Sequence, residues 1–177
     1  MIDLHTHTTF SDGVLVPAEL ARRAKVTGYR AVALTDHADA SNMDLVVPRL
    51  AAMAREYSIY MDIAIVPGVE LTHVPAALMA QEVGRARALG ALIVVAHGET
   101  IVEPVEQGTN LAAIEAGVDV LAHPGLITPE EVRLAAQKGV LLEITTRAGH
   151  GYANGHVLGL ARAFGAPFVL NTDAHEP

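Results

Sequence analysis

The segment Asp3-Leu4-His5-Thr6-His7, with Ser11-Asp12-Gly13 just behind it, gathers the residue types that a metal ion seeks. In an extended segment, residues two apart point to the same face, so His5 and His7 send both imidazoles one way, spaced to share a cation. Alone, an H-x-H is equally well explained by one exposed and one hydrogen-bonded histidine. It gains weight because the chain ends one short apolar run after another in the same kind of residue. Run 1–4 leads into His5 and His7, 30–34 into Thr35-Asp36-His37, and 63–69 into Glu70, with His73 three residues later. Run 91–96 leads into His97, 118–122 into His123, 140–142 into Glu143, and 167–170 into Asn171-Thr172-Asp173-Ala174-His175. Independent structural histidines have no reason to fall at that place in strand after strand.

The elements that must position these groups follow from the same pattern. Short apolar runs alternating with helical stretches read as parallel strands buried on both faces, an α/β architecture, and parallel strands present their C-terminal ends on one side. If the sheet closes into a barrel, those ends converge on one mouth. Between the runs, Pro17 to Lys25 reads as a helix closing near Gly28, with Leu20, Ala21 and Ala24 facing the sheet. A second helical pattern spans about 42–56, where Pro48 is expected to start or kink the helix. Val74-Pro75 opens a third, running to Leu89, and a short one runs from Asn110 or Leu111 to Ala116. Thr128-Pro129-Glu130-Glu131 combines an N-cap threonine, an N1 proline and acidic first-turn residues. A last helix runs through Leu160 to Phe164 with His156, read as structural, near its start.

Two connections are candidates for substrate contact. Segment 98–110 is too long for a minimal link and reads either as a lid or substrate wall or as a solvated acidic loop. Segment 145–156 carries three glycines that permit close backbone approach, Arg147, which can clamp a phosphate with two hydrogen bonds, and His150.

At 177 residues, 51% of them apolar, the chain suits one domain covering 1–177 with a sizeable core. The absence of cysteine removes disulfides and thiolate metal sites, leaving imidazole and carboxylate as the strong ligands. No apolar run approaches the ~20 residues that span a bilayer, and no export signal is evident, which fits a soluble cytoplasmic protein without a membrane partner. A net charge of −8, from 12 Lys and Arg against 20 Asp and Glu, disfavours a broad nucleic-acid footprint. It does not exclude a small anionic substrate, since divalent cations in the mouth would reverse the local field. The chain ends two residues past His175, so the last strand lacks a covering helix and a helical tail or a longer parent protein is expected.

With these residues in view, the sequence resembles the PHP (polymerase and histidinol phosphatase) family of metal-dependent phosphoesterases. The matching pieces are D-L-H-T-H at 3–7, S-D-G at 11–13, T-D-H at 35–37, G-V-E at 68–70, A-H-G at 96–98, A-H-P at 122–124 and D-A-H at 173–175. The resemblance implies a distorted (β/α)7 barrel, similar to a TIM barrel, binding two or three divalent ions (zinc, manganese or iron) at its C-terminal mouth. It implies His5, His7, Glu70 and Asp173 around one ion, Glu70, His97 and His123 around a second, and His37 and His175 around a third, completed by Asp12 or a water. Asp36, His73 and Glu143 fall outside that set and are expected in satisfied polar contacts. His97, His175 and Asp173 are expected to be catalytic, and Arg147 and His150 to contact the substrate.

Clustered divalent ions support hydrolysis by a water acidified near neutral pH, with the phosphate held in line and its oxygens stabilised. The leading expectation is therefore a phosphatase acting on a small phosphate monoester, similar to the histidinol-phosphate branch. The alternatives are a phosphodiesterase or 3′ to 5′ exonuclease and, further off, a non-catalytic module like the barrel subunit of archaeal ribonuclease P. Oligomeric state is left open.

Overall fold

The computed structural model describes residues 1–177 as a nearly closed barrel of parallel strands wrapped by helices. The strands are β1 (Ile2–Asp3), β2 (Ala31–Leu34), β3 (His37–Ala38), β4 (Ala64–Leu71), β5 (Ile93–His97), β6 (Val120–Ala122), β7 (Leu141–Thr145) and β8 (Phe168–Asn171). Around them lie α1 (Pro17–Val26), α2 (Met43–Met61), α3 (Met79–Ala88), α4 (Thr109–Ala116), α5 (Pro129–Lys138) and α6 (Asn154–Phe164). The pairing order is β1-β2-β4-β5-β6-β7-β8, all parallel, with β3 on the C-terminal half of β4. No helix is long and apolar enough to cross a membrane.

The second apolar run forms β2 as expected, and a further short strand, β3, begins at His37 once Thr35 and Asp36 have turned aside to hold the first loop. Thr35 N donates to Thr6 O at 2.9 Å, and Asp36 accepts from Thr8 N, Thr8 Oγ1 and Ser11 Oγ at 2.7–2.8 Å. Pro48 neither starts nor breaks its helix: α2 runs on to Met61 with Pro48 inside it. The carbonyl deprived of its donor belongs to Asp44, which is exposed and can be hydrated. At α5 the expected start is complete, since Thr128 and Glu131 form a reciprocal capping box.

Alternation along the strands separates core from site. Ala33, Ile93, Val95, Val120 and Ala122 fill the barrel interior, with Leu4, Val66, Leu141 and Val169 against them. Side chains two apart share a face, so Ile93 and Val95 lead to His97, Val66 and Gly68 to Glu70, Leu141 to Glu143, and Val169 to Asn171. The apolar plug thus gives way to polar groups one layer up. Gly68 is needed in that stack, because a Cβ there would lie 2.5 Å from Ile93 Cγ2. His123 breaks the alternation directly after Ala122 and takes a positive φ of 28°, a strained conformation for a histidine. Outside the barrel, a 25-residue apolar cluster seats α3 to α6, and a 10-residue cluster seats α1 and α2.

The barrel closes between its first and last strands. Thr6 bridges Ala174, Asp173 N donates to His5 O at 3.0 Å, and His7 N donates to Ala174 O at 2.9 Å. Side chains reinforce the seam: Asn171 Oδ1 accepts from Leu4 N at 3.0 Å, and Thr172 Oγ1 donates to Asp3 Oδ2 at 2.6 Å. Since Asn171 Nδ2 also donates to Glu143 Oε1 at 2.9 Å, its loss strands partners on both sides. Asn171→Ala is expected to cost about 1–3 kcal/mol. In calorimetry that lowers Tm by about 2–4 °C per kcal/mol for a domain of this size; an unchanged Tm would show that the seam does not depend on this side chain.

Candidate metal centre

The strand ends bring all nine expected donors to one mouth. At the bottom, His5 and His7 are fully buried, with their Nε2 atoms 3.0 Å apart. Glu70, also fully buried, places Oε1 3.4 Å from His5 Nε2 and 3.5 Å from His123 Nε2. Its Oε2 lies 3.6 Å from His7 Nε2 and 2.7 Å from His37 Nδ1. Asp173 approaches His7 Nε2 at 3.2 Å and His5 Nε2 and His123 Nε2 at 3.7 Å.

Nearer solvent, Asp12 Oδ1 stands 3.2 Å from His175 Nε2, 3.6 Å from His37 Nε2 and 3.9 Å from His7 Nδ1. Its loop can fold onto His7 only because residue 13 is glycine, where a Cβ would lie 2.4 Å from His7 O. On the opposite side the donors of His97, His123 and His150 lie within 4.8 Å of one another. The mouth encloses a cavity of about 170 Å³ lined by Asp12, His37, His97, Arg147, His150 and Asp173 among others, with no apolar residue.

These groups fit divalent cations. With metal–nitrogen and metal–oxygen bonds of about 2.0–2.1 Å, the edge of a tetrahedral site is roughly 3.3 Å, close to the 3.2–3.7 Å that separate most of these donors. Both Glu70 oxygens, Asp173 Oδ1, His7 Nδ1, His123 Nδ1 and His175 Nε2 are buried without a hydrogen-bond partner. Unpaired polar atoms are rare in an interior and need an explanation such as an ion.

The remaining residues divide by what they touch. Glu143 does more than satisfy itself: Oε1 binds His5 Nδ1 at 2.7 Å, fixing that ring with Nε2 toward the cluster, and Oε2 accepts from His123 N at 3.1 Å. Asp36 is structural, as expected. His73 is the correction: rather than holding a polar contact it is exposed at a φ of 52°, its ring 5.6 Å from that of His97. Arg147 lies at the mouth, paired with His175 Nδ1 and donating to Asp173 O at 3.3 Å. His156 is structural, bonded to Ile127 O at 2.8 Å. Sequence reasoning missed Glu103, whose Oε2 lies 3.0 Å from His97 Nε2 and Oε1 3.2 Å from His150 Nε2. Only the acidity of its loop hinted at it.

The family model described as the PHP domain matches residues 3–134. The chain belongs to the PHP domain family. Among proteins similar to it, an uncharacterized protein of Methanocaldococcus jannaschii is 49% identical over 177 residues, 99% of this chain and 81% of that one. The DNA polymerase/3′-5′ exonuclease PolX of Bacillus subtilis is 25% identical over 98% of this chain and 34% of its own length. Among solved structures, a Listeria monocytogenes protein provisionally named as a histidinol phosphatase aligns with a TM-score of 0.71 at 14% identity, covering 99% of this chain and 96% of that one. A two-domain Bacteroides vulgatus protein containing a predicted PHP-like metal-dependent phosphoesterase aligns at 0.61 with 19% identity, over 99% of this chain and 52% of the other. Together, family and donor set support a metal-dependent phosphoesterase, and the solved structures share its fold.

Electrostatics in this PHP centre set most imidazoles ready to coordinate. Burial pushes His7 and His123 well below the usual histidine range, and His150 and His175 below it, so their rings are neutral near pH 7. Asp173 behaves oppositely: burial, with Glu70 and Glu143 adding repulsion, raises its carboxyl to about 7. His5 is raised well above its usual value, burial being outweighed by Glu143, Glu70 and Asp173. Both groups therefore hold protons that a cation must expel. A group titrating near 7 is about ten to one protonated at pH 6, so zinc affinity is expected to be at least about tenfold weaker at pH 6 than at pH 8. Calorimetric titrations in buffers of different ionisation enthalpy check this; equal affinities with no proton release would contradict it.

Proposed function

We propose that this PHP protein is a metal-dependent phosphatase that hydrolyses a small phosphate monoester. The observation that carries the reading is a wholly polar cavity of about 170 Å³ at the centre of the donor set. Pockets for drug-sized ligands run to about 300–1,000 Å³. A cavity of this size suits a terminal phosphoryl group, with the rest of the substrate outside. Arg147 is the one basic side chain besides histidine in the lining, which matches a single phosphoryl group better than a polynucleotide backbone.

In this reading His5, His7, Glu70 and Asp173 would hold one ion, and His97 and His123 together with Glu70 would hold a second. His37, His175 and Asp12, joined by His7, hold a third. Zinc, manganese and iron all suit such imidazole and carboxylate sets. When bound, the ions supply an acidified water and Lewis-acid stabilisation of phosphoryl oxygens. The chain's own groups do the rest. Glu143 holds His5 in one tautomer, and Asp36 anchors the loop that carries Asp12. Arg147, already turned into the mouth, offers its guanidinium to a phosphate oxygen.

The relative named as a 3′-5′ exonuclease makes phosphodiester cleavage the second reading. Phosphate release from a panel of monoesters, beside a diester of the same leaving group, separates the two. The expected result is turnover of monoesters with zinc, manganese or iron, abolished by chelation, and a loss of at least about a hundredfold in Glu70→Gln, since even groups that merely support ligands cost 10–100-fold. No turnover at confirmed metal occupancy would reject the proposal, and faster diester cleavage would favour the second reading.

A further inference from the structure

We propose that His150 and Glu103 complete a cation site with His97 and His123, and that this site draws the loop around Glu103 over the mouth. The inference deepens the metal-dependent reading above and rests on it. His150, expected only at the substrate, is buried beside His123 with ring centroids 4.4 Å apart, and its Nδ1 has no hydrogen-bond partner. The buried Nδ1 of His123 likewise has none. His97 lies 4.4 Å from His123, ring to ring, in an edge-on arrangement. The donors of the three histidines fall within one 4.8 Å group, so three imidazoles already face a common space.

Glu103 enters that space from the loop that follows β5. The connection after β5 is tied at its base, where Glu99 Oε1 accepts from Gly108 N at 3.0 Å and Asn110 N at 2.9 Å, and Asn110 Oδ1 accepts from Glu99 N at 3.0 Å. The excursion between these ties carries Glu103, whose two oxygens reach His97 Nε2 at 3.0 Å and His150 Nε2 at 3.2 Å. Those separations are close to the roughly 3.3 Å edge of a tetrahedral zinc site. With Glu70, whose Oε1 lies 3.5 Å from His123 Nε2, three imidazoles and two carboxylates surround the position, one donor more than the four of a closed tetrahedral site. Because the Glu103 side chain is 38% exposed on a loop, it is the donor that can depart and leave the open position a substrate oxygen needs.

The test uses the whole chain and zinc alone, read by equilibrium dialysis with elemental analysis and by amide hydrogen exchange, without any activity assay. Wild-type protein is expected to show slower exchange across 100–107 once zinc is added. His150→Gln, which preserves side-chain volume, is expected to lose one zinc equivalent or to weaken one site at least tenfold. Glu103→Gln is expected to keep the zinc count, weaken that same site, and abolish the slowing in the loop. The Glu103 variant also guards against misfolding of the buried His150 variant, since its carboxylate is partly in solvent. Variants that match wild type in zinc count, affinity and loop exchange would overturn the inference while leaving the other sites intact. A wild-type chain that takes up no zinc, manganese or iron would instead overturn the metal-dependent reading itself.

Discussion

The arrangement depends on one buried carboxylate. Glu70 is wholly removed from water with neither oxygen hydrogen-bonded, a position that costs several kcal/mol for an ionised group unless other charges compensate. His5 and His37 compensate in part, holding its carboxyl well below the usual range against the effect of burial. Burial opposes the charge on those histidines as well, and their protons are held there only by the surrounding carboxylates. A divalent cation resolves both problems together, giving the carboxylate its counter-charge and releasing the protons. The fold commits its longest strand to this point: β4 pairs with β2, β3 and β5, so Glu70 is held from both sides.

Donor placement is inseparable from barrel closure. His5 and His7 come from the first strand end, and Asp173 and His175 from the last, so the innermost donors meet only when the seam forms. Asn171 joins the two processes. Its amide oxygen accepts from Leu4 N just after β1, and its nitrogen supports Glu143, which in turn orients His5. A buried polar network of this kind is stable only when every member is satisfied. Here the satisfied members form the supporting layer, while the unsatisfied atoms all face the mouth or its rim, apart from Thr100 Oγ1.

How far the sequence revealed this follows from the reach of alternation. His97 and Glu70 were legible because each sits two residues beyond an inward-facing position on its own strand, whereas Asp173, two residues past the end of β8 at a φ of 52°, was found by its place after a run. Their convergence followed from parallel strands sharing one end. His123 was found by its place after a run, yet alternation alone would turn it outward, and only its positive φ brings the ring in. His73 sits near the mouth in sequence but is rotated into solvent by the same kind of local backbone turn. Glu103 and the partnership of His97 with His150 were hidden because they join segments distant in sequence through side chains, a contact with no local periodicity. The role of Glu143 was underestimated for a related reason. Its partners His5 and Asn171 are distant in sequence, and a carboxylate ending a strand looks alike whether it binds an ion or aligns a ligand.

The same geometry argues about what can enter. A chain with a net charge of −8 repels anions at long range, and the mouth adds Asp12 and Glu103 to the buried Glu70 and Asp173. Without cations, only Arg147 and protonated histidines oppose that field, and Arg147 is already engaged with Asp173 and His175. Cations must therefore come first, converting a carboxylate-rich cavity into one attractive to phosphate. That order also fits the burial gradient. Donors around Glu70 lie deep enough to retain an ion between turnovers, whereas Asp12 and Glu103, 53% and 38% exposed, stand where an exchanging ligand could displace them. Affinity at the bottom and exchange at the rim are thus set by depth in one barrel rather than by different donor types.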